Sequence, residues 1–235
     1  MRVRGRRRCV DCGEEWSYYE VGSVECPTCG SLHSVGVDDE RTLHTDAPVD
    51  LDLTDVRAAV GERPLREVAA DAEKAALAYV SARGFVHAGA LEPLDDRVVA
   101  ATQLRHVAAH IRRSIREPGD DVEAHFLALL RGVPDGERPG GVPDDLRGPY
   151  GLAVAGAVDR YQGEVSDWLD ERGRPAVSVL ESLRDHVKRI EALDGEVPPG
   201  EADALLRAAR EVGSYLREDD GAALARAEER LRALQ

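Results

Sequence analysis

The chain has 235 residues, 43% of them hydrophobic, and 45 acidic against 31 basic residues give it a net charge of −14. That length allows one or two domains, and that apolar content is ample for a buried core, which excludes a disordered chain. The longest apolar run, around LAVAGAV, is far too short to cross a bilayer, and MRVRGRRRC lacks the apolar region of a secretory signal. A cytoplasmic protein with no membrane partner is expected.

The charge is distributed unevenly. Residues 1–36 balance five arginines against five acids, so the whole net charge of −14 falls on residues 37–235. Lys74 and Lys188 are the only lysines, and every other basic residue is arginine. Acid in such excess serves solubility at high salt and is not in itself evidence of a basic partner.

At the N-terminus, Arg2, Arg4, Arg6, Arg7 and Arg8 precede any acid and predict an exposed basic arm able to meet phosphate; a solubilising terminus is the plain alternative. All four cysteines follow within CVDCGEEWSYYEVGSVECPTCG. Cys9 and Cys12 make one C-x2-C pair, Cys26 and Cys29 another, with thirteen residues between the pairs.

Two knuckles each offering two thiolates suit one tetrahedral ion, the arrangement zinc takes in a closed structural site. A redox pair normally stands alone beside a strand-helix unit, so two matched pairs argue against that use; iron and disulfides are the remaining competitors. Four sulfur ligands leave no open position for water or substrate, so the expected cofactor is one structural zinc ion. His33 and His44 are not needed as ligands and read as polar surface or strand residues. A ribbon this short cannot bury enough apolar area to fold alone, so metal binding supplies its folding free energy.

Between the knuckles, EWSYYEV reads as a strand of a hairpin turning at Gly22-Ser23. Trp16 is expected to cover the small core. Tyr18 and Tyr19 are candidates for a stacking platform for bases. Residues 37–60 are acidic, with Val49, Leu51 and Leu53 alternating after Pro48, and predict an extended linker lying against something.

From Pro64 the apolar period becomes helical. Pro64 and Gly84 bracket a first helix with Leu65, Val68, Leu77 and Val80 prominent. A second is expected from Leu94 to Arg116, its stripe being Ala100, Leu104, Val107, Ile111 and Ile115, and DVEAHFLALLRG is a third. Residues 131–148, crowded with Pro and Gly, predict a mobile loop.

Beyond it, Tyr150, Val154, Ala157, Tyr161, Val165 and Trp168 mark a helix from Pro149 to Arg172. Leu180, Leu183, Val187 and Ile190 mark the next, Leu205, Ala209, Val212 and Leu216 another, and Leu224, Ala227, Leu231 and Leu234 the last. Each stripe is apolar on one side, so the expected fold class is a small zinc-ribbon β-hairpin domain (1–36), the linker, and an all-α antiparallel helical bundle (61–235).

No phosphate-binding loop, nucleophile elbow or helix-borne metalloprotease motif is present, so no catalytic residue is assigned and a non-enzymatic protein is expected. His106 and His110 stand at i and i+4 without a third ligand, and a solvated face explains them better. Residues 97–116 carry five arginines and no acid, with Arg105, Arg112, Arg113 and Arg116 the candidates for a docking strip. Internal pairing with acidic helices is the competing reading.

At CVDCGEEWSYYEVGSVECPTCGSLHSVG the chain resembles an uncharacterised group of halophilic-archaeal proteins containing a transcription factor IIB-type zinc ribbon. Its arginine-rich, acidic, alanine-rich composition also looks like that of salt-loving archaea. The likeness covers about the first forty residues and implies zinc on Cys9, Cys12, Cys26 and Cys29. The helical part departs from general initiation factors, since it is acidic and carries no repeat. The leading expectation is a non-enzymatic zinc protein whose ribbon and arginines contact RNA, DNA or a nucleoprotein complex. A protein-protein adaptor without nucleic acid is the alternative.

Overall fold

A computed structural model describes residues 1–169 and 171–234. The N-terminal part is built from short strands: β1 (Arg2–Val3), β2 (Arg6–Cys9), β3 (Glu15–Ser17), β4 (Ser34–Gly36) and β5 (Thr42–Leu43), with a single-turn helix α1 (Tyr18–Val21) after β3. Strand β2 lies between β3 and β4, antiparallel to both, and β1 pairs with β5. Side chains alternate along β2, so Arg7 and Cys9 share one face with Trp16, which sits opposite Arg7. Cys9, Cys26 and Trp16 form a core of their own, and Trp16 donates its indole N–H to the Ser23 carbonyl at 3.1 Å.

The basic arm is therefore sheet, not a free tail. Arg6, Arg7 and Arg8 are ladder residues of β2 and Arg2 belongs to β1. The expected strand through EWSYYEV also stops early: after Ser17 the chain turns into α1, which places Tyr18 and Tyr19 off the sheet.

Segment 37–60 contains β5 and a short helix, α2 (Thr54–Ala58), and it lies against the helical body. The body comprises α3 (Leu65–Ala82), a small hairpin of β6 (Val86–His87) and β7 (Ala90–Leu91), α4 (Asp96–Arg113), α5 (Asp120–Gly132), α6 (Arg147–Trp168), α7 (Val177–Ala192), α8 (Pro199–Glu218) and α9 (Gly221–Arg232). Helix α4 packs on α3, α5 and α6; α6 packs in turn on α7 and α8; α9 closes against α8 and α7. One core runs through all of them, rich in alanine at helix crossings, where small side chains bring backbones close.

Three helix readings shift. The second helix begins at Asp96, where Asp95 caps it by accepting from the Val98 amide at 2.7 Å, and ends at Arg113. Ser114 leaves the helix in an extended conformation, so Ile115 falls off the stripe and is 95% exposed. Helix α6 ends at Trp168, short of Arg172, and Asp170 lies outside the described residues. Leu77 points outward on α3, while Val68 and Val80 are buried as expected, with Ala69, Ala72, Ala76 and Tyr79 completing the buried face.

Gly84 is not a helix cap: α3 ends with Arg83 extended, and a side chain at Gly84 would strike the Thr45 backbone. Residues 131–148 are not a free loop. They hold the end of α5, two 3-10 turns with Val133 and Leu146 fully buried, and the start of α6.

Candidate metal centre

The two knuckles are built alike. The Cys9 amide donates to the Glu14 carbonyl at 2.8 Å and the Cys26 amide to the Ser31 carbonyl at 2.9 Å, five residues on in each case. Gly13 and Gly30 then turn back to donate to the carbonyls of Cys9 and Cys26. Both glycines take positive φ, 80° and 71°, a conformation in which a Cβ is strained. The same local chemistry, used twice, presents four thiols from two directions.

Within each pair the first cysteine is buried and the second exposed. All four sulfurs lie within 4.8 Å of one another, and the closest approaches, Cys9 to Cys29 and Cys12 to Cys26, are 3.6 Å. A disulfide would need about 2.05 Å, so the cysteines are not cross-linked. A tetrahedral ion at about 2.3 Å from each sulfur sets its ligands about 3.8 Å apart, close to the 3.6 Å of those two pairs. The donor set fits a single metal ion.

The thiols lie close enough to shift one another's ionisation. Amide hydrogens, that of Cys12 foremost, draw the Cys9 thiol down to about 7, so it ionises first. The Glu14 amide favours the Cys12 thiolate, but the neighbouring sulfurs and burial outweigh it and push that thiol up to about 12. Four anions this close require a cation among them.

The other candidate residues are dispersed. Arg6 pairs with Asp38 at 3.0 Å, Arg8 with Glu15 at 3.0 Å, and Arg7 donates to the hydroxyl and carbonyl of Ser34. Arg2 and Arg4 are exposed. Far along the chain, Arg112 on α4 pairs with Glu73 on α3 at 2.6 Å, which is internal pairing between helices. Arg105 is half-buried, and Arg113 and Arg116 are exposed. The arginines of β1 and β2 and those of α4 thus form two separate groups.

Tyr18 and Tyr19 face the helical body. The Tyr19 ring lies 4.8 Å from that of His44 and 6.0 Å from that of His87, and Tyr18 meets His44 edge-on at 6.0 Å. Tyr19 also covers Gly5, where a side chain would collide with its ring. These tyrosines join ribbon to body and are not a free platform for bases.

His44 is accordingly no surface residue, being 3% exposed. Its Nδ1 accepts from the Ala88 amide at 3.2 Å, and burial holds it below the usual imidazole range. His106 is half-buried, and desolvation takes it down to about 4. Among the described residues the four cysteines are the only cluster of metal-ligating side chains.

Sequence reasoning missed the residues that seat the ribbon. Two residues beyond β5 stands Thr45, whose hydroxyl donates to Glu164 of α6 at 2.5 Å, and Glu164 accepts the Phe85 amide at 2.6 Å. Nη1 of Arg83 donates to both carboxylate oxygens of Asp46, at 2.9 and 2.7 Å. The β6–β7 turn, Ala88-Gly89 at φ 49° and 87°, offers the amide that meets His44. Only that tight turn, with its glycine, carried a local signal.

Residues 1–231 match a family described as "Family of unknown function (DUF7117)". The chain belongs to this family. The match runs from the ribbon to the last helix, so the ribbon and the helical body are a single family unit. No curated protein and no solved structure matches the chain.

Proposed function

We propose that the protein is a non-enzymatic structural-zinc protein whose ribbon is a docking element for another protein. A closed four-thiolate set is the usual structural site of zinc and holds the ion without an exchangeable position; iron takes the same donor set, and metal analysis of the purified protein separates the two. Bound there by Cys9, Cys12, Cys26 and Cys29, the ion would supply folding free energy to the ribbon. Reduced thiols suit the cytoplasm, where this site would persist. No helix among the described residues is long and apolar enough to cross a membrane.

The observation that carries the docking reading is the outer surface of the ribbon. Val10 is 66% exposed, Leu32 69% and Val35 51%, while Arg6 and Arg8 beside them already have carboxylate partners. The Val10 amide reaches the His33 carbonyl, and Val35 sits opposite Arg8, so the three apolar side chains come from adjoining stretches. Water-facing aliphatic groups on so small a unit favour a protein surface over phosphate.

Affinity capture from the native host at native salt, with and without nuclease, tests it. The same proteins should be recovered in both, and Val10→Ser with Val35→Ser should lose them while keeping the metal. Nucleic acid is the second reading, favoured by exposed Arg2 and Arg4. Labelled RNA and DNA across a salt series decide it: affinity that falls with salt and with Arg2→Ser and Arg4→Ser would replace the protein reading.

A further inference from the structure

A polar cleft of about 410 Å³ opens in the helical body, away from the cysteines, between α4, the turn leading from α5 to α6, and α8. Its walls include Gln103 of α4, Arg138 and the Gly140-Gly141 pair of the turn, Tyr150 of α6 and Asp203 of α8. The proposed docking surface of the ribbon uses none of these residues.

Two features of this cleft are not explained by folding. The first is an opposite-charge pair kept from closing. Tyr150 donates its hydroxyl to Asp203 at 2.5 Å, and Arg138 reaches the same hydroxyl oxygen at 3.5 Å. The carboxylate and the guanidinium therefore flank one phenol, at most 6.0 Å apart, without an ion pair between them. Nearby arginines behave differently: Arg210 pairs with Asp96 at the cleft edge at 2.7 Å, and Arg83 pairs with Asp46. Burial and the Asp203 contact push the Tyr150 phenol up to about 12, so it stays a neutral spacer.

The second feature is Gln103, 2% exposed. Its amide nitrogen meets Nε2 of His125 at 3.0 Å, and its amide oxygen has no partner. Turned the other way, the amide would leave its nitrogen unpartnered instead, so one polar atom on this wall lacks a hydrogen bond in either setting. Buried amides are normally satisfied on both atoms, and an unsatisfied one calls for a partner.

We propose that this cleft binds a small zwitterion of the α-amino-acid type. The ligand ammonium sits on Asp203, its carboxylate on Arg138, and Tyr150 between them holds the two protein charges at a spacing that a single small molecule bridges. Gly140 and Gly141 have open space where side chains would stand, which leaves the rim clear for entry. The unpartnered atom of Gln103 is closed off from solvent, so the ligand is held by Arg138, Tyr150 and Asp203 without it. A ligand of one charge would satisfy only half of this arrangement.

The test is equilibrium dialysis of the full-length, metal-loaded protein against a mixture of the twenty protein amino acids, with mass spectrometry of what is retained. The retained amino acid is then titrated calorimetrically beside its decarboxylated amine and its deaminated acid. Wild type should retain at least one amino acid, and each single-charge analogue should bind at least tenfold more weakly. Arg138→Gln and Asp203→Asn should each weaken binding at least tenfold with circular dichroism unchanged. Arg138 lies on the turn between helices, so its variant keeps the test decisive if Asp203→Asn does not fold. Retention of no amino acid, equal binding of an analogue, or unaltered affinity in Arg138→Gln would overturn the proposal.

Discussion

The ribbon and the helical body solve the same problem by opposite means. The ribbon's buried apolar set is Cys9, Cys26 and Trp16, too little area to offset the entropy of ordering its residues. The body runs one continuous core from Leu53 to Leu231, with side chains such as Leu104, Phe126 and Tyr161 almost wholly out of water. One region depends on charge neutralised at a point, the other on area removed from solvent. They should therefore respond separately to metal, packing and pH.

Metal removal should give the largest effect. Structural zinc contributes an apparent ~10 kcal/mol or more in small cysteine sites, far more than this ribbon's packing can replace. Stripping the protein with a chelator, or Cys26→Ser, should unfold the ribbon, seen as a changed Trp16 fluorescence environment, while far-ultraviolet helicity persists. Metal analysis should give one ion per chain before treatment. Loss of most helicity along with the metal would break the comparison.

The reciprocal change is Leu104→Ala in α4, a residue with no exposed surface. A cavity there should cost about 2–5 kcal/mol, read in chemical denaturation of the helical signal. Metal stoichiometry should not move. Coupled loss of metal would mean that the ribbon leans on the body more heavily than its own knuckles suggest.

Acid should act on the body before the knuckle geometry matters. His106 is lowered to about 4 by burial, with Arg105 and Arg113 adding to the shift, and His44, His125 and His186 are lowered in the same direction. The unfolded chain then binds more protons, so stability is full above about pH 6.5 and falls as pH drops toward 4. His106 alone accounts for about 3 kcal/mol across that window. Denaturation midpoints measured from pH 7 to 4 should decline, and His106→Gln should flatten the decline.

How much of this was legible in the sequence depends on how local each cause is. The knuckles were readable because ligand spacing and a following glycine are set within five residues, and the helices because their stripes repeat every turn. Ile115 fits that repeat but lies beyond Ser114, where the backbone leaves the helix, so periodicity overran the element. The arginine arm looked free because β4 (Ser34–Gly36), which pairs with β2, and β5 (Thr42–Leu43), which pairs with β1, come much later in the chain. Tyr18 and Tyr19 looked available for stacking for the same reason: His44 and His87 come from distant stretches, and no local pattern announces them. The cleft beside Gln103 was likewise illegible, being assembled from three helices and a turn.

The smallest effect should come from the seam that joins the two regions. Tyr19 lies over Gly5 on one side and against His44 and His87 on the other. Backbone bonds of residues 43–46 to the β6–β7 hairpin would remain without it, among them Thr45 to Val86 and Gly89 to Leu43. Tyr19→Ala should then cost about 1 kcal/mol, the scale of aromatic contacts beyond simple burial, and leave both metal content and helicity intact. Its readout is hydrogen exchange: amides of α1 and of Leu43 to Thr45 should exchange faster while the knuckle amides of Cys9 and Cys26 stay protected. Equal deprotection of the knuckles would show that the ring supports the metal site itself, and the two regions would then be one cooperative unit.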